Sequence, residues 1–241
     1  MTSFGVGSEG EIAALLEDLG NFDRHWRSRW SASDAAAEVV RNAIFTGRLR
    51  PGDQIPFATI GEAMSISRLP VREAINLLKH EGLVRVEPHR GSFVGPFDAD
   101  VLREHWAMIG LLHGYAAARL AGEPDHTAVE QLRAVLRKLE ESTSSLEAGW
   151  LVFDFKRVLN AARTTERFRS IIRPLSVFAP ASLFGEIEEI PEIARRGCSG
   201  VLDAIERADV DAVERSCRDW AADEGASVVA HLRQIGVLPP S

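Results

Sequence analysis

From Ser31 to Pro96 the chain reads SASDAAAEVVRNAIFTGRLRPGDQIPFATIGEAMSISRLPVREAINLLKHEGLVRVEPHRGSFVGP. Ala36, Val39, Val40, Ala43, Ile44 and Leu49 recur at helical spacing, and Arg41 and Arg48 fall off that apolar stripe. Gly47 and Pro51-Gly52 stop the helix and turn the chain. Ile60, Ala63 and Met64 give a short second helix its inner face, and Ser65-Ile66-Ser67 makes a turn whose last hydroxyl is positioned to cap a third helix. The third helix sends Val71, Ala74, Ile75, Leu77 and Leu78 inward, so Arg68 and Arg72, four residues apart, share its outward face. Leu83 to Val86 and Ser92 to Val94 read as two hairpin strands, with Pro88-His89-Arg90-Gly91 at the tip.

Three helices with a tight turn before the last, then a hairpin, make a winged helix-turn-helix. A recognition helix brings its N-terminal residues to base edges, and Arg is the usual bidentate partner of guanine. The expected contacts to double-stranded DNA are Ser67, Arg68, Leu69 and Arg72 on the third helix, Thr59 on the second and Arg41 on the first. The wing adds His89, Arg90 and Gly91, the glycine allowing close backbone approach to a groove. Two plainer alternatives stand beside this. The arginines can be a solvated helix face, with Arg72 paired to Glu73 or Glu81, and His89 can be polar filler at a loop tip.

This block resembles the DNA-binding domain of the GntR family of bacterial transcription regulators. The family's small turn, its Val-Ser-Arg-Thr-Pro-Val-Arg-Glu-Ala-Leu run, its Glu-Gly-Leu step and its Gly-containing wing are matched by SISRLPVREAI, HEGLVRV and HRGSFV. Three departures bear on which operator is read. Leu69 stands where the family usually has Thr, Thr59 and Gly61 replace the usual Glu and Ala, and Ser65 replaces the turn Gly.

Charge points the same way. The net charge is −7, yet residues 31–96 hold eight Lys and Arg against seven Asp and Glu, and only the remainder is acidic. A small positive face on an acidic body binds phosphate weakly, which argues for two copies on a palindromic operator. A homodimer is therefore expected. Apolar residues make up 45% and charged residues 26%, ordinary for a folded chain with room for two cores. Cys198 and Cys217 are too few for a disulfide framework. No signal peptide and no bilayer-length apolar run is seen, so the cytoplasm is the expected location and no membrane partner is expected.

After Pro96 the periodicity is helical throughout. Residues 98–121, 125–141, 145–163, 165–179, 187–207 and 209–234 read as six helices, and Pro180 to Gly185 reads as punctuation. The fold class is thus mainly α, a winged helix-turn-helix followed by an all-α helical bundle. The domains are an extension over 1–30, the head over 31–96 and an effector-binding and dimerisation bundle over 97–241.

More faintly, the bundle resembles the effector domain of the FadR subfamily, through Ala116 to Ala121 and through Ala204-Ile205 with the residues after it. In many relatives that bundle holds a metal by an Asp and a His four residues apart and two later His. Matched residue by residue, those positions are Val152, Lys156, Cys198 and Trp220. Val, Lys and Trp offer no suitable donor, so neither the metal nor another cofactor is expected. In its place, Lys156 and Trp220 suggest a pocket for an organic acid or an amphipathic acid, with His113, Tyr115, Arg157 and Arg163 as further lining residues. The alternative is a bundle filled by Trp220, with Lys156 turned outward and no effector, serving only dimerisation.

The extension carries a short apolar stripe, Ile12, Leu15, Leu16 and Leu19, then aromatics interleaved with arginine from Phe22 to Trp30. It suits phosphate contact or an arm docked on the partner or on the chain's own bundle. An enzyme is not expected: there is no phosphate-cradling Gly loop, no nucleophile elbow and no zinc-protease motif.

Overall fold

The computed structural model describes residues 31–240, and the expectations for the 1–30 extension lie outside them. Among the described residues the chain divides into two compact units. One holds 31–98 with Phe178–Pro180 and the tail from Leu232, and the other holds Ala99–Val177 with Ala181–His231.

The first unit opens with α1 (Ala32–Phe45). A reciprocal cap starts it: Ser31 Oγ accepts the Asp34 N–H at 3.1 Å, and the Asp34 carboxylate accepts the Ser31 N–H at 3.2 Å. Every residue from Ala36 to Phe45 is buried, including Glu38, Arg41 and Asn42. Phe45 sits edge-on to Phe97 and to Phe178, with ring centroids 5.0 and 5.7 Å away. Helices α2 (Phe57–Ala63) and α3 (Arg68–His80) follow. Then β1 (Val84–Glu87) pairs antiparallel with β2 (Gly91–Val94), Val84 opposite Val94 and Glu87 opposite Gly91. The head therefore has the order read from the sequence.

The second unit is a bundle of α4 (Ala99–Gly122), α5 (His126–Glu141), α6 (Ser145–Ala162), α7 (Glu166–Ser176), α8 (Ala181–Glu186), α9 (Ile190–Glu206) and α10 (Val210–Gln234) up to His231, the end of α10 from Leu232 counting with the first unit. Its apolar core is lined by Leu120, Leu132, Leu139, Val152, Phe155, Leu159, Cys198, Val201 and Trp220. Among the described residues these are seven helices, not the expected six. Helix α8 was hidden by its flanking breakers. Pro180 precedes its first residue, where the missing N–H is not needed, and Gly185 lets the Leu146 side chain approach to 3.3 Å of where a Cβ would stand. No helix among the described residues is long and apolar enough to cross a membrane.

Candidate DNA interface and bundle interior

Three features of the head shape its reading surface. Ser65 in the turn has φ +54°, a left-handed conformation that favours glycine. At Gly61 a Cβ would lie 2.8 Å from Val71 Cγ2, so the departure from alanine there lets α2 cross closely over α3. Ser67 sits at the cap position with extended backbone, but its hydroxyl makes no capping bond. The residue three positions on is Pro70, which has no N–H to give, and this corrects the expected cap.

Beyond the cap, Arg68, Leu69 and Arg72 are exposed, Leu69 by 65%. Neither arginine has an ion-pair partner among the described residues, so Arg72 is not engaged by Glu73 or Glu81. Thr59 is half-exposed on the first turn of α2. Val71, Ala74 and Leu78 anchor the opposite face of α3 in the core.

Arg41 is a correction. Its guanidinium is buried and forks onto Glu81, Nε to Oε2 at 2.9 Å and Nη2 to Oε1 at 2.6 Å, while Nη1 reaches Glu38 at 2.9 Å. It lies off the apolar stripe, but α1 is enclosed on all sides, so off the stripe does not mean outside. Arg41 ties α1 to the end of α3 and does not face DNA. Burial pushes the Glu38 and Glu81 carboxyls up in spite of Arg41.

At the wing tip Pro88, His89, Arg90 and Gly91 are exposed. His89 has φ +61° and Gly91 φ +114°, and a Cβ on Gly91 would stand 2.9 Å from Gln54 Nε2. That amide donates to the Arg90 carbonyl at 3.3 Å and holds the tip to the body of the head. Glu87 is paired with Arg90 at 2.5 Å and with Arg85 at 2.8 Å, and both guanidinium groups lie over the Phe93 ring, 5.7 and 6.0 Å from its centroid.

In the bundle, Lys156 Nζ donates to both carboxylate oxygens of Glu224, at 2.7 and 2.9 Å, and lies 4.5 Å from the centroid of the Trp220 ring. The sequence reading placed Lys156 and Trp220 together and missed Glu224, a buried carboxylate one helical turn past Trp220. Lys156 is therefore a neutralised cation, neither free nor turned outward. Trp220 packs edge-on to Phe155 at 6.0 Å and lies against Gly197, where a Cβ would fall 2.3 Å from Trp220 Cγ. Val152 and Cys198 belong to the surrounding apolar core. Burial pushes the Cys217 thiol up to about 12 and that of Cys198 well above its ordinary value. His113 Nε2 and Trp220 Nε1 are buried and have no hydrogen-bond partner among the described residues.

Three expected lining residues lie elsewhere. Tyr115 is half-exposed and packs on Phe168, ring centroids 5.4 Å apart. Arg157 is exposed and bonded to Asp154 on its own helix. Arg163 clamps the turn between α4 and α5, donating to the carbonyls of Glu123 and Pro124 at 2.9 and 2.8 Å. Each was chosen by helix, and the face of the helix decides otherwise. No cluster of three or more His, Cys, Asp or Glu placed to hold a metal occurs among the described residues.

The two interior histidines give a pH prediction. Burial, aided by Lys156, lowers the His105 pKa from 6.5 to about 4, and the same causes, with His105, put His113 well below its ordinary value. The unfolded chain takes up protons near pH 6.5 that the fold refuses, so stability is full above 6.5 and is lost as pH falls towards 4. For His105 the loss amounts to about 3 kcal/mol at the lower end. The melting temperature should fall between pH 7 and 5, and His105→Gln should flatten that fall. An unchanged slope in the variant would put the acid sensitivity elsewhere.

A model of the family described as bacterial regulatory proteins, gntR family, matches residues 32–94. An uncharacterized HTH-type transcriptional regulator of Mycobacterium tuberculosis (strain H37Rv) is 29% identical over 207 residues, covering 86% of this chain and 85% of the relative. Another, from the TAR-I ttuE-ttuC' intergenic region of Agrobacterium vitis, is 34% identical over 125 residues, covering 50% of this chain and 72% of the relative. Among solved structures, E. coli McbR/YncC superposes with a TM-score of 0.62 at 18% identity, covering 84% of this chain and 99% of that one.

Proposed function

We infer that this chain, which belongs to the gntR family of bacterial regulatory proteins, works as a cytoplasmic homodimer that reads a palindromic operator and represses transcription until a small molecule releases it. It is a transcription regulator and not an enzyme, as its family and relatives are. The head, residues 31–96, reads DNA, and the bundle, 97–241, is of the FadR type, binding the effector and pairing the subunits.

One observation carries the DNA reading: two exposed, unpaired guanidinium groups on the first turns of α3, beside a tight left-handed turn. Arg72→Ala should cost about 1–3 kcal/mol at the operator and relax the base preference at one position in each half-site. Selection from random duplexes supplies the operator, and titration of operator and scrambled duplex measures the cost. An equal loss on both would make Arg72 a phosphate anchor.

For the effector, the reading rests on Trp220 Nε1–H and His113 Nε2, buried without partners beside the Lys156 ammonium. A carboxylate entering there accepts from the indole and shares Lys156 with Glu224. An organic acid or an amphipathic acid is thus the favoured class, and no metal takes part. To act as a switch it must prefer one arrangement of the two heads. The tight seating of Trp220 on Gly197 favours a second reading, a closed bundle that only dimerises. Thermal shift against organic acids and acyl-CoAs, with a chelator control, separates the two. A ligand present at 100 times its Kd should add about 2.7 kcal/mol, silence across the panel supports the closed bundle, and chelator sensitivity would contradict a metal-free site.

A further inference from the structure

Helix α4 is 24 residues long and buries one side in the bundle through Leu102, Trp106, Ile109, His113, Ala117 and Leu120. Its opposite side is apolar as well. Met108, Leu111 and Tyr115 are 49%, 56% and 51% exposed, and at about 100° per residue they lie within about 60° of one another. Beside them on α7, Phe168 packs on Tyr115, and Ile171 is 51% exposed. Four of the nine exposed large hydrophobic residues among those described are thus gathered on two adjacent helices. Isolated exposed apolar side chains need no explanation, whereas a contiguous set rimmed by charge marks a docking surface.

We propose that this α4–α7 face is where two copies of the chain meet, with α4 antiparallel to its own copy across a two-fold axis beside Leu111. The proposal rests on the dimeric reading above and names its surface.

The spacing makes the face self-complementary. A two-fold axis between positions 111 and 112 sets residue n of one α4 opposite residue 223 − n of the other. Met108 then faces the partner's Tyr115, a thioether against an aromatic ring, and each Leu111 packs beside the axis. Glu104 faces the partner's Arg119 at both ends of the strip. Glu104 is exposed with no partner among the described residues. Arg119 is 45% exposed, and its nearest acid is Glu123 at 3.6 Å, a loose pair that leaves it available. One polarity of charge at each end and apolar side chains between them is the pattern of an isologous interface, and a parallel pairing would set Glu104 against Glu104 and Arg119 against Arg119.

Sedimentation equilibrium of the full-length chain tests this. The parent protein should be a dimer. Leu111→Asp, on an exposed position that leaves the bundle core untouched, should weaken it at least about thirtyfold. Glu104→Arg should weaken it through like charges, and Glu104→Arg combined with Arg119→Glu should restore it. Leu111→Cys should form a disulfide with its own copy on mild oxidation, and the native Cys198 and Cys217, both buried, leave that signal clean. A parent dimer that survives Leu111→Asp and Glu104→Arg, with no cross-link at residue 111, overturns this face while leaving the dimer reading standing. A monomer at concentrations that saturate operator DNA overturns both. A monomer that dimerises only when residues 1–30 are deleted means that the chain's own extension covers the face, which also overturns the proposal.

Discussion

Arg41→Ala is expected to destabilise the DNA-reading head by about 3–5 kcal/mol, a large part of what a domain of this size has. The substitution leaves Glu38 and Glu81 together in a space where each side chain is under 5% exposed, with no cation between them. Both carboxyls are already pushed up by burial, so in the variant they take up protons or the head opens. The melting temperature should drop by many degrees at pH 8 and by less at pH 5, where protonation relieves the repulsion. Replacing all three residues together, Arg41→Met with Glu38→Leu and Glu81→Met, should recover most of the loss, because a buried ion network contributes little beyond a well-packed apolar one. A folded Arg41→Ala protein with normal stability and weakened operator binding would return Arg41 to the list of DNA contacts.

The second large effect lies in the bundle. Trp220→Ala should cost about 3–5 kcal/mol, the usual result of emptying a buried aromatic site. Here the ring also forms the floor on which the Lys156 ammonium lies and the wall facing Gly197. Gly197→Ala attacks the same contact from the other side. Its methyl would overlap three atoms of the indole, 2.3 to 2.5 Å away, and both partners are held by helices, so the cost should be about 1–3 kcal/mol. The two changes together should cost clearly less than their sum, because the methyl enters space the ring has vacated. Urea titrations of the four proteins measure the cycle. Strict additivity would mean that α9 and α10 adjust freely and that the indole is not wedged.

How much of this the sequence disclosed depends on how local each feature is. Arg68 and Arg72 were legible because a helix with Val71, Ala74 and Leu78 inward has one outward face, and four-residue spacing puts both on it. Glu81 was visible only as part of a motif, and its tie to Arg41 joins positions 40 apart, which no periodicity reports. In the bundle, family spacing brought Lys156 and Trp220 to one place correctly. Their partner Glu224 went unread because nothing along α10 distinguishes a buried carboxylate from the exposed ones beside it. Tyr115, Arg157 and Arg163 were misplaced for the opposite reason. α4, which carries Tyr115, is apolar on its outer side as well, and α6 is apolar over most of its circumference from Trp150 to Phe155, so composition does not mark the inner side of either. Helix α8 was lost because Pro180 and Gly185 are breakers inside a helix but serve well at its ends.

The wing has a thermodynamic consequence that its geometry alone does not announce. Arg85 and Arg90 share the carboxylate of Glu87 before any nucleic acid arrives. When such a guanidinium reaches a phosphate it exchanges one fixed anion for another, and the entropy that drives most protein–DNA association comes from mobile cations set free from the duplex. Part of that gain is offset here, because the guanidinium must give up its ion pair with Glu87. On the proposed reading of the wing as a DNA contact, it should bind any duplex less avidly than its arginines suggest, and Glu87→Gln should raise affinity for scrambled duplex. On the same reading discrimination falls to α3, where Arg68 and Arg72 are exposed and carry no such internal partner among the described residues.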